Sequence, residues 1–255
     1  MDFCIVIMKV LNNYDVFYMI KEGDILQQLY NKYKHGLLIA IYCIFYLIMF
    51  AYLEGRPVRR FHVVHTVFDD MIPFCEVFIV PYLLWFPYML ITVLYFIFVN
   101  KNVKEYYQVS LNLMMGMTVF LIVSYVYPNI QHLRPTEFAR DNIFVDMVAS
   151  LYKTDTPTNI LPSIHVFNSL AVHKAISNCE SLRKYRSIQY GSLILTILIV
   201  LSTMFLKQHS VIDVFLGMTL ALFGSLVFYP QKEFTYERER SYQTMRKRNK
   251  KHYGF

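Results

Sequence analysis

The stretch YGSLILTILIVLSTMFLKQHSVIDVFLGMTLALFGSLVFYP, residues 190–230, decides the fold. Two apolar runs, about residues 190–206 and 210–229, are parted only by Lys207, Gln208 and His209. Each run approaches the roughly 20 residues that an α-helix needs to cross the core of a bilayer. An ionisable group at the mouth of such a helix is costly, so His209 and Asp213 read as functional residues by default. Upstream, Leu161 to His165 (LPSIH) opens another apolar segment with a second histidine at its start.

Working outward, the whole chain carries the same signature. Of its 255 residues 56% are hydrophobic and 17% charged. A soluble domain holds about 45–50% apolar and about 25% charged residues. The reading is therefore an all-α, polytopic membrane protein with one membrane domain. The net charge of +7 collects in loops and in the C-terminal tail, where membrane topology already calls for it, so nucleic acid is a poor explanation. Cys4, Cys43, Cys75 and Cys179 are far apart and form no C-x-x-C, which argues against a disulfide framework or a zinc site.

Six spans are expected, as a six-transmembrane-helix bundle. They lie at about Gly36–Leu53, Ile72–Val99, Ser110–Tyr127, Leu161–Ser177, Tyr190–Leu206 and Ser210–Tyr229. Pro73, Pro81 and Pro87 predict a kinked or partly re-entrant start to the second, with a spanning part from about Leu83. Ser163, His165, Asn168, Ser169, His173 and Lys174 interrupt the fourth, which must then face protein or a water-filled cavity. Residues 128–160 form the longest polar connection.

Before the spans, residues 1–35 form a cytoplasmic segment whose apolar spacing from residue 9 onward predicts one or two surface amphipathic helices. Phe3 to Met8 is too short for a signal peptide, so this segment is expected to stay on the protein. The membrane domain covers 36–230, and residues 231–255 make a basic cytoplasmic tail. With that tail inside, six spans place Arg134, His165 and His209 together on the outer, extracytoplasmic face of the cell membrane. Arg56, Arg59 and Arg60 sit awkwardly there, partly offset by Glu54, Asp69 and Asp70.

The residue types then define a chemistry. His209 and Asp213 are four apart, so a helix places them on one face, one turn apart. The acid can hold one imidazole nitrogen protonated and leave the other free to attack. His165 suits a general acid and base. Pro162 and Ser163 precede it at a helix N-terminus, a natural anion site. Arg134 is always charged and can grip phosphate in a bidentate way. Phosphoryl transfer through a phosphohistidine needs these parts.

At these residues the chain resembles the type 2 phosphatidic acid phosphatase (lipid phosphate phosphatase) superfamily. That family carries K-x6-R-P, P-S-G-H and S-R-x5-H-x3-D. The corresponding stretches here are YPNIQHLRP at 127–135, PSIH at 162–165 and STMFLKQHSVID at 202–213, in the same order and with the same internal spacing. The resemblance covers roughly residues 70–230. It implies that His209 is the nucleophile, that Asp213 orients it, and that His165 protonates the leaving alkoxide and then activates water. It implies phosphate binding by Arg134 and Ser163, a lipid phosphate substrate, and no need for a metal or other cofactor. Tyr127 and Ser202 stand at motif positions and enter as further phosphate-contact candidates.

Three positions depart from the pattern. Tyr127 replaces the first-motif lysine, Ile164 the glycine and Thr203 the third-motif arginine. Two of three cationic phosphate ligands are absent. Lys207, four residues after Thr203, would share its face if the helix continued, and is the candidate replacement. Inositol phosphorylceramide synthases and sphingomyelin synthases in the wider superfamily also relax the basic residues, which keeps a headgroup phosphotransferase open. A non-enzymatic transporter or scaffold with a degenerate site is a third reading. His165, His209 and Asp213 also match a metal site by ligand type, although Lys207 and Arg134 would repel a cation. His173 reads as a packing or hydrogen-bonding residue, His62 and His65 as surface residues, and Asp69 and Asp70 as a solvated loop end or the rim of the approach.

Overall fold

The computed structural model describes residues 24–230 and is predominantly helical. Its contacts divide at residue 43. The first unit carries α1 (Asp24–Tyr33), a 3-10 turn at Lys34–Gly36 and the start of α2 (Leu37–Gly55). The amphipathic segment expected before residue 24 and the tail from 231 lie outside the described residues.

The second unit, from Ile44 onward, holds the rest of α2 and the remaining elements. These are β1 (His62–Val63), α3 (Val67–Met71), α4 (Ile79–Phe98), α5 (Val103–Val126) and β2 (Asn129–Ile130). They continue with α6 (Ile143–Thr154), α7 (Ile164–Asn178), α8 (Arg186–Phe205) and α9 (Val211–Phe228). Among the described residues, five helical stretches are long and apolar enough to cross a membrane: Tyr30–Gly55, Glu76–Phe98, Val103–Val126, Arg186–Phe205 and Val211–Phe228. Their outward faces carry large apolar side chains, among them Ile48, Ile91, Ile194 and Phe223.

The fourth expected span is α7, and it differs from the other five. Its 15 residues reach only about 22 Å at roughly 1.5 Å per residue, short of a core about 30 Å thick. It packs against α4, α5, α8 and α9, and none of its side chains is exposed. Enclosure explains how it tolerates its polar residues. His173 Nδ1 lies 2.9 Å from Ser192 Oγ on α8, which in turn lies 2.6 Å from the Tyr88 hydroxyl on α4. The Thr196 hydroxyl donates to the Ser169 carbonyl at 3.3 Å. These buried hydroxyls are thus satisfied across helices.

Two small glycine contacts set this packing. A Cβ on Gly116 of α5 would fall 2.0 Å from the Phe167 ring of α7, and one on Gly217 of α9 would fall 2.8 Å from the Ser163 carbonyl. Helix backbones approach this closely only where a side chain is missing.

The connections hold more structure than expected. The second span starts at a 3-10 turn, Glu76–Phe78, and runs unbroken from Ile79 with Pro87 inside it, so the helix begins four residues before Leu83. The 128–160 connection contains α6, whose N-cap Asn142 accepts from the Phe144 and Val145 N–H groups. Val148 on α6 packs with Ile79, Tyr82 and Leu206. The fold is also not purely helical. β1 and β2 form a two-residue parallel ladder, with the His62 N–H donating to the Pro128 carbonyl at 2.9 Å. Arg56, expected to sit awkwardly on the outer face, has a local use. It donates to the Ser124 and Tyr125 carbonyls at 2.7 and 3.1 Å and closes the C-terminus of α5.

Gly116→Ala should lower stability by about 1–3 kcal/mol, the usual cost of overpacking a core. Thermal unfolding of the detergent-solubilised protein measures it. Phe167→Leu in the same chain should recover part of the loss, because the two sites share one contact. An unchanged unfolding midpoint for Gly116→Ala would count against this packing.

Candidate active site

The site is assembled at the turn that links α8 to α9. α8 ends at Phe205, and the Thr203 carbonyl accepts from both the Gln208 and His209 N–H groups at 3.0 Å. Lys207 sits at φ 52° to let the chain reverse, a conformation uncommon outside glycine. Ser210 then caps α9, its hydroxyl accepting from the Ile212 N–H at 3.3 Å.

The partner segment is fixed from β2. Asn129 is buried, and its side-chain oxygen accepts from the Ile160 and Leu161 N–H groups at 2.7 and 3.1 Å. Pro162 follows through a cis peptide bond. Ser163 caps α7 through the Val166 N–H, and its own N–H donates to the Asp213 carbonyl at 3.1 Å. That bond ties the start of α7 to the first turn of α9 and carries His165 toward His209.

A linear relay results. Asp213 Oδ2 lies 2.7 Å from His209 Nδ1, and His209 Nε2 lies 3.3 Å from His165 Nδ1. Asp213 is 0% and His209 7% exposed. A carboxylate beside Nδ1 fixes the proton there, so Nε2 keeps its lone pair. His165 Nδ1–H is then the donor in the second bond. The His165 ring is flanked by Tyr82 and Trp85 of α4, at centroid distances of 4.8 and 4.5 Å.

Arg134 stands beside this relay, but its fork is already engaged. Nη1 donates to the Asp155 and Tyr152 carbonyls at 2.7 and 3.3 Å, and Nη2 to Gln208 Oε1 at 2.5 Å. The guanidinium lies over the Tyr152 ring, 4.6 Å from its centroid, and 3.9 Å from the Asp155 carboxylate. The bidentate grip expected from the sequence is therefore not free in this arrangement. The Tyr82 hydroxyl also reaches Asp155, at 3.4 Å. Burial pushes the Asp155 carboxyl up, against the lowering influence of Arg134, His209 and the Tyr82 hydroxyl.

The other candidates fall in different places. Lys207 is not on a continuing helix. Its ammonium donates to the Asp69 and Ile72 carbonyls at 2.6 and 2.5 Å, and burial lowers its pKa despite the nearby Asp69 and Asp70. Ser202 is buried and bonds back to the Ile199 carbonyl at 2.6 Å, inside α8. Tyr127 is exposed and stacks on His62 at 4.1 Å. Thus His165, His209 and Asp213 come together, with Ser163 and Arg134 adjoining, while Ser202 and Tyr127 make their described contacts elsewhere. His65 is exposed and pairs with exposed Asp70 at 2.9 Å.

Asp69 was expected at a solvated loop end and is instead 3% exposed. It accepts from Ser210 Oγ at 2.7 Å, the Val211 N–H at 2.8 Å and the Thr66 N–H at 2.7 Å. Burial alone would raise its pKa, but these bonds together outweigh it and hold the carboxyl below the usual range. Sequence reading also passed over Gln208, Asp155, Tyr82 and Trp85. Gln208 is the only one with a local signal, a polar side chain beside the proposed nucleophile. The others are brought in by tertiary packing.

No protein-family model, curated protein or solved structure matches the chain.

Asp69→Asn should change how stability depends on pH. Because the folded pKa is depressed, the carboxylate stabilises above its unfolded value of about 3.9. That contribution fades as pH falls through the lower folded value. Unfolding midpoints recorded from pH 7 to pH 3 should drop more steeply in the wild type than in Asp69→Asn. Parallel curves would remove Asp69 from this role.

Proposed function

We propose that this chain is a membrane-embedded, metal-independent phosphatase acting on lipid phosphates or polyprenyl diphosphates at the outer membrane face. His209 is the nucleophile and passes through a phosphohistidine. The observation that carries this reading is the Asp213–His209–His165 relay at 2.7 and 3.3 Å, with Asp213 and His209 buried. The spacing of the three motif-like stretches supports it independently.

In the first step His209 Nε2 attacks phosphorus and the P–O bond to the lipid breaks. His165, as the imidazolium, gives its proton to the leaving alkoxide. In the second step water attacks the phosphohistidine and loses a proton to His165. The P–N bond breaks, its electron pair returns to His209, and inorganic phosphate leaves. Asp213 stabilises the positive charge that builds on His209 in the first step.

The resting spacing sets one requirement. Attack begins with nitrogen about 3–3.5 Å from phosphorus, and the acid must reach the leaving oxygen on the far side at about 2.6–3.2 Å. The two ring nitrogens must therefore part from 3.3 Å when a phosphate enters between them.

A second reading is favoured by the electrostatics of Arg134. Its charge is shared with Asp155, 3.9 Å away, and Lys207 is turned onto backbone carbonyls. This supplies less positive charge than a phosphomonoester dianion calls for. A singly charged phosphodiester suits it better, as in a transferase that passes a phosphorylated headgroup to a lipid alcohol.

Phosphate release from lipid phosphates by the detergent-purified protein should persist in EDTA and be abolished in His209→Ala. His165→Ala should lower turnover by about 10²–10⁴, the usual contribution of a general acid–base group. Acid-labile phosphate on the wild-type chain should be missing from His209→Ala. Turnover that appears only after an acceptor alcohol is added would select the transferase. Release that survives in His209→Ala would end both readings.

A further inference from the structure

We propose that Gln208 is an anion ligand of this site, supplying with the Arg134 Nε–H and the Trp85 indole N–H the hydrogen bonds that the absent basic residues would have made. This assignment rests on the reading of the site as one for phosphoryl groups and adds two residues outside its motif positions, Gln208 and Trp85.

Three buried donors on residues around the relay have no acceptor among the described residues: Gln208 Nε2, Arg134 Nε and Trp85 Nε1. Gln208 is 2% exposed. A buried N–H without a partner costs about 1–3 kcal/mol, so three of them on residues bordering the relay call for a ligand rich in acceptors. Contacts tie all three residues to the relay. Gln208 immediately precedes His209, and both N–H groups share the Thr203 carbonyl. Arg134 binds the Gln208 side-chain oxygen, and Trp85 lies against the His165 ring.

The orientation of the Gln208 amide is fixed chemically. Arg134 Nη2 is only a donor, so the atom 2.5 Å from it must be the amide oxygen. The NH₂ group is therefore left for another acceptor. Gln208 thus acts as an adaptor. Its oxygen takes a bond from a cation whose fork is occupied, and its nitrogen presents two N–H donors. A tetrahedral oxyanion has enough lone pairs to accept from all three residues. The resulting cradle is mostly neutral, in keeping with the charge balance around Arg134 and Asp155.

A bridging water is the rival occupant, and one substitution separates the two. Gln208→Glu keeps, and charge-assists, the bond from Arg134 Nη2, but replaces the donor with a carboxylate oxygen. A water would tolerate this, because it can donate as well as accept. An oxyanion would be repelled. Gln208→Leu removes both functions.

The experiment is calorimetric titration of orthovanadate into the full-length protein in detergent micelles, beside lipid-phosphate turnover on the same samples. The wild type should bind. Gln208→Leu should bind about tenfold more weakly, the usual loss for one hydrogen bond at about 1.4 kcal/mol. Gln208→Glu should bind more weakly still. Gln208→Glu binding as tightly as the wild type would overturn the assignment and leave Gln208 as a buttress for Arg134. A wild type that binds no vanadate would overturn it as well. Vanadate binding that depends on Gln208 without turnover of any lipid phosphate would uphold the ligand and sink the enzymatic reading. Turnover through a phosphohistidine with vanadate affinity indifferent to Gln208 would do the reverse.

Discussion

The structure depends on the burial of one carboxylate. Asp213 is fully enclosed in the first turn of a helix whose outer face is apolar. A charge in such a place is tolerated only when it is paired and hydrogen-bonded. His209 Nδ1 at 2.7 Å and the Val214 N–H at 3.2 Å meet that need. Several neighbours are then constrained. The loop before α9 must double back so that His209 can reach its own helix, which the two bonds to the Thr203 carbonyl accomplish. The N-terminus of α7 must come close, which Gly217 permits and the Ser163–Asp213 backbone bond secures.

Around this centre the polar and apolar parts of the chain are sorted by enclosure. α7 is the least apolar of the long helices and packs against four other helices, whereas α2, α4, α8 and α9 turn isoleucine, leucine and phenylalanine outward. Side-chain hydrogen bonds between α4, α7 and α8 satisfy Tyr88, His173, Ser192 and Thr196 in the interior. At one end, the connectors Thr66–Ile72, Arg134–Thr158 and Leu206–Ser210 interlock. Glu54 contributes there as well, accepting from Asn159 at 2.6 Å and from the Thr156 hydroxyl. These contacts hold the connectors that carry Asp69, Arg134, Asp155 and Gln208.

Much of this was legible in the chain, and for identifiable reasons. Long apolar runs announce membrane-length helices because hydropathy is a local property, and five of six expected runs emerged as such. The spacing of His209 and Asp213 pointed to their pairing, although His209 lies in the turn just before the N-cap Ser210 and not on a helical turn as expected. What escaped depends on distant segments. Asp69 meets Ser210 across 141 residues and Arg134 meets Gln208 across 74, and no local pattern records either meeting. The role foreseen for Lys207 extrapolated a period past the end of α8. Neither glycine nor proline marks that end, because the chain turns on a lysine with positive φ. α6 was hidden by the charged residues around it, although Asn142 followed by Ile143, Val145 and Val148 is a readable helix start.

The two histidines of the relay are held in unequal ways. His209 is anchored at both levels, its backbone by Thr203 and its ring by Asp213. Beyond its bond to His209, the His165 ring lies against aromatic faces, which grip by shape and permit sliding and tilting. On the proposed mechanism, making room between the rings falls to the χ angles of His165 on α7, with Tyr82 and Trp85 as the bearing surface.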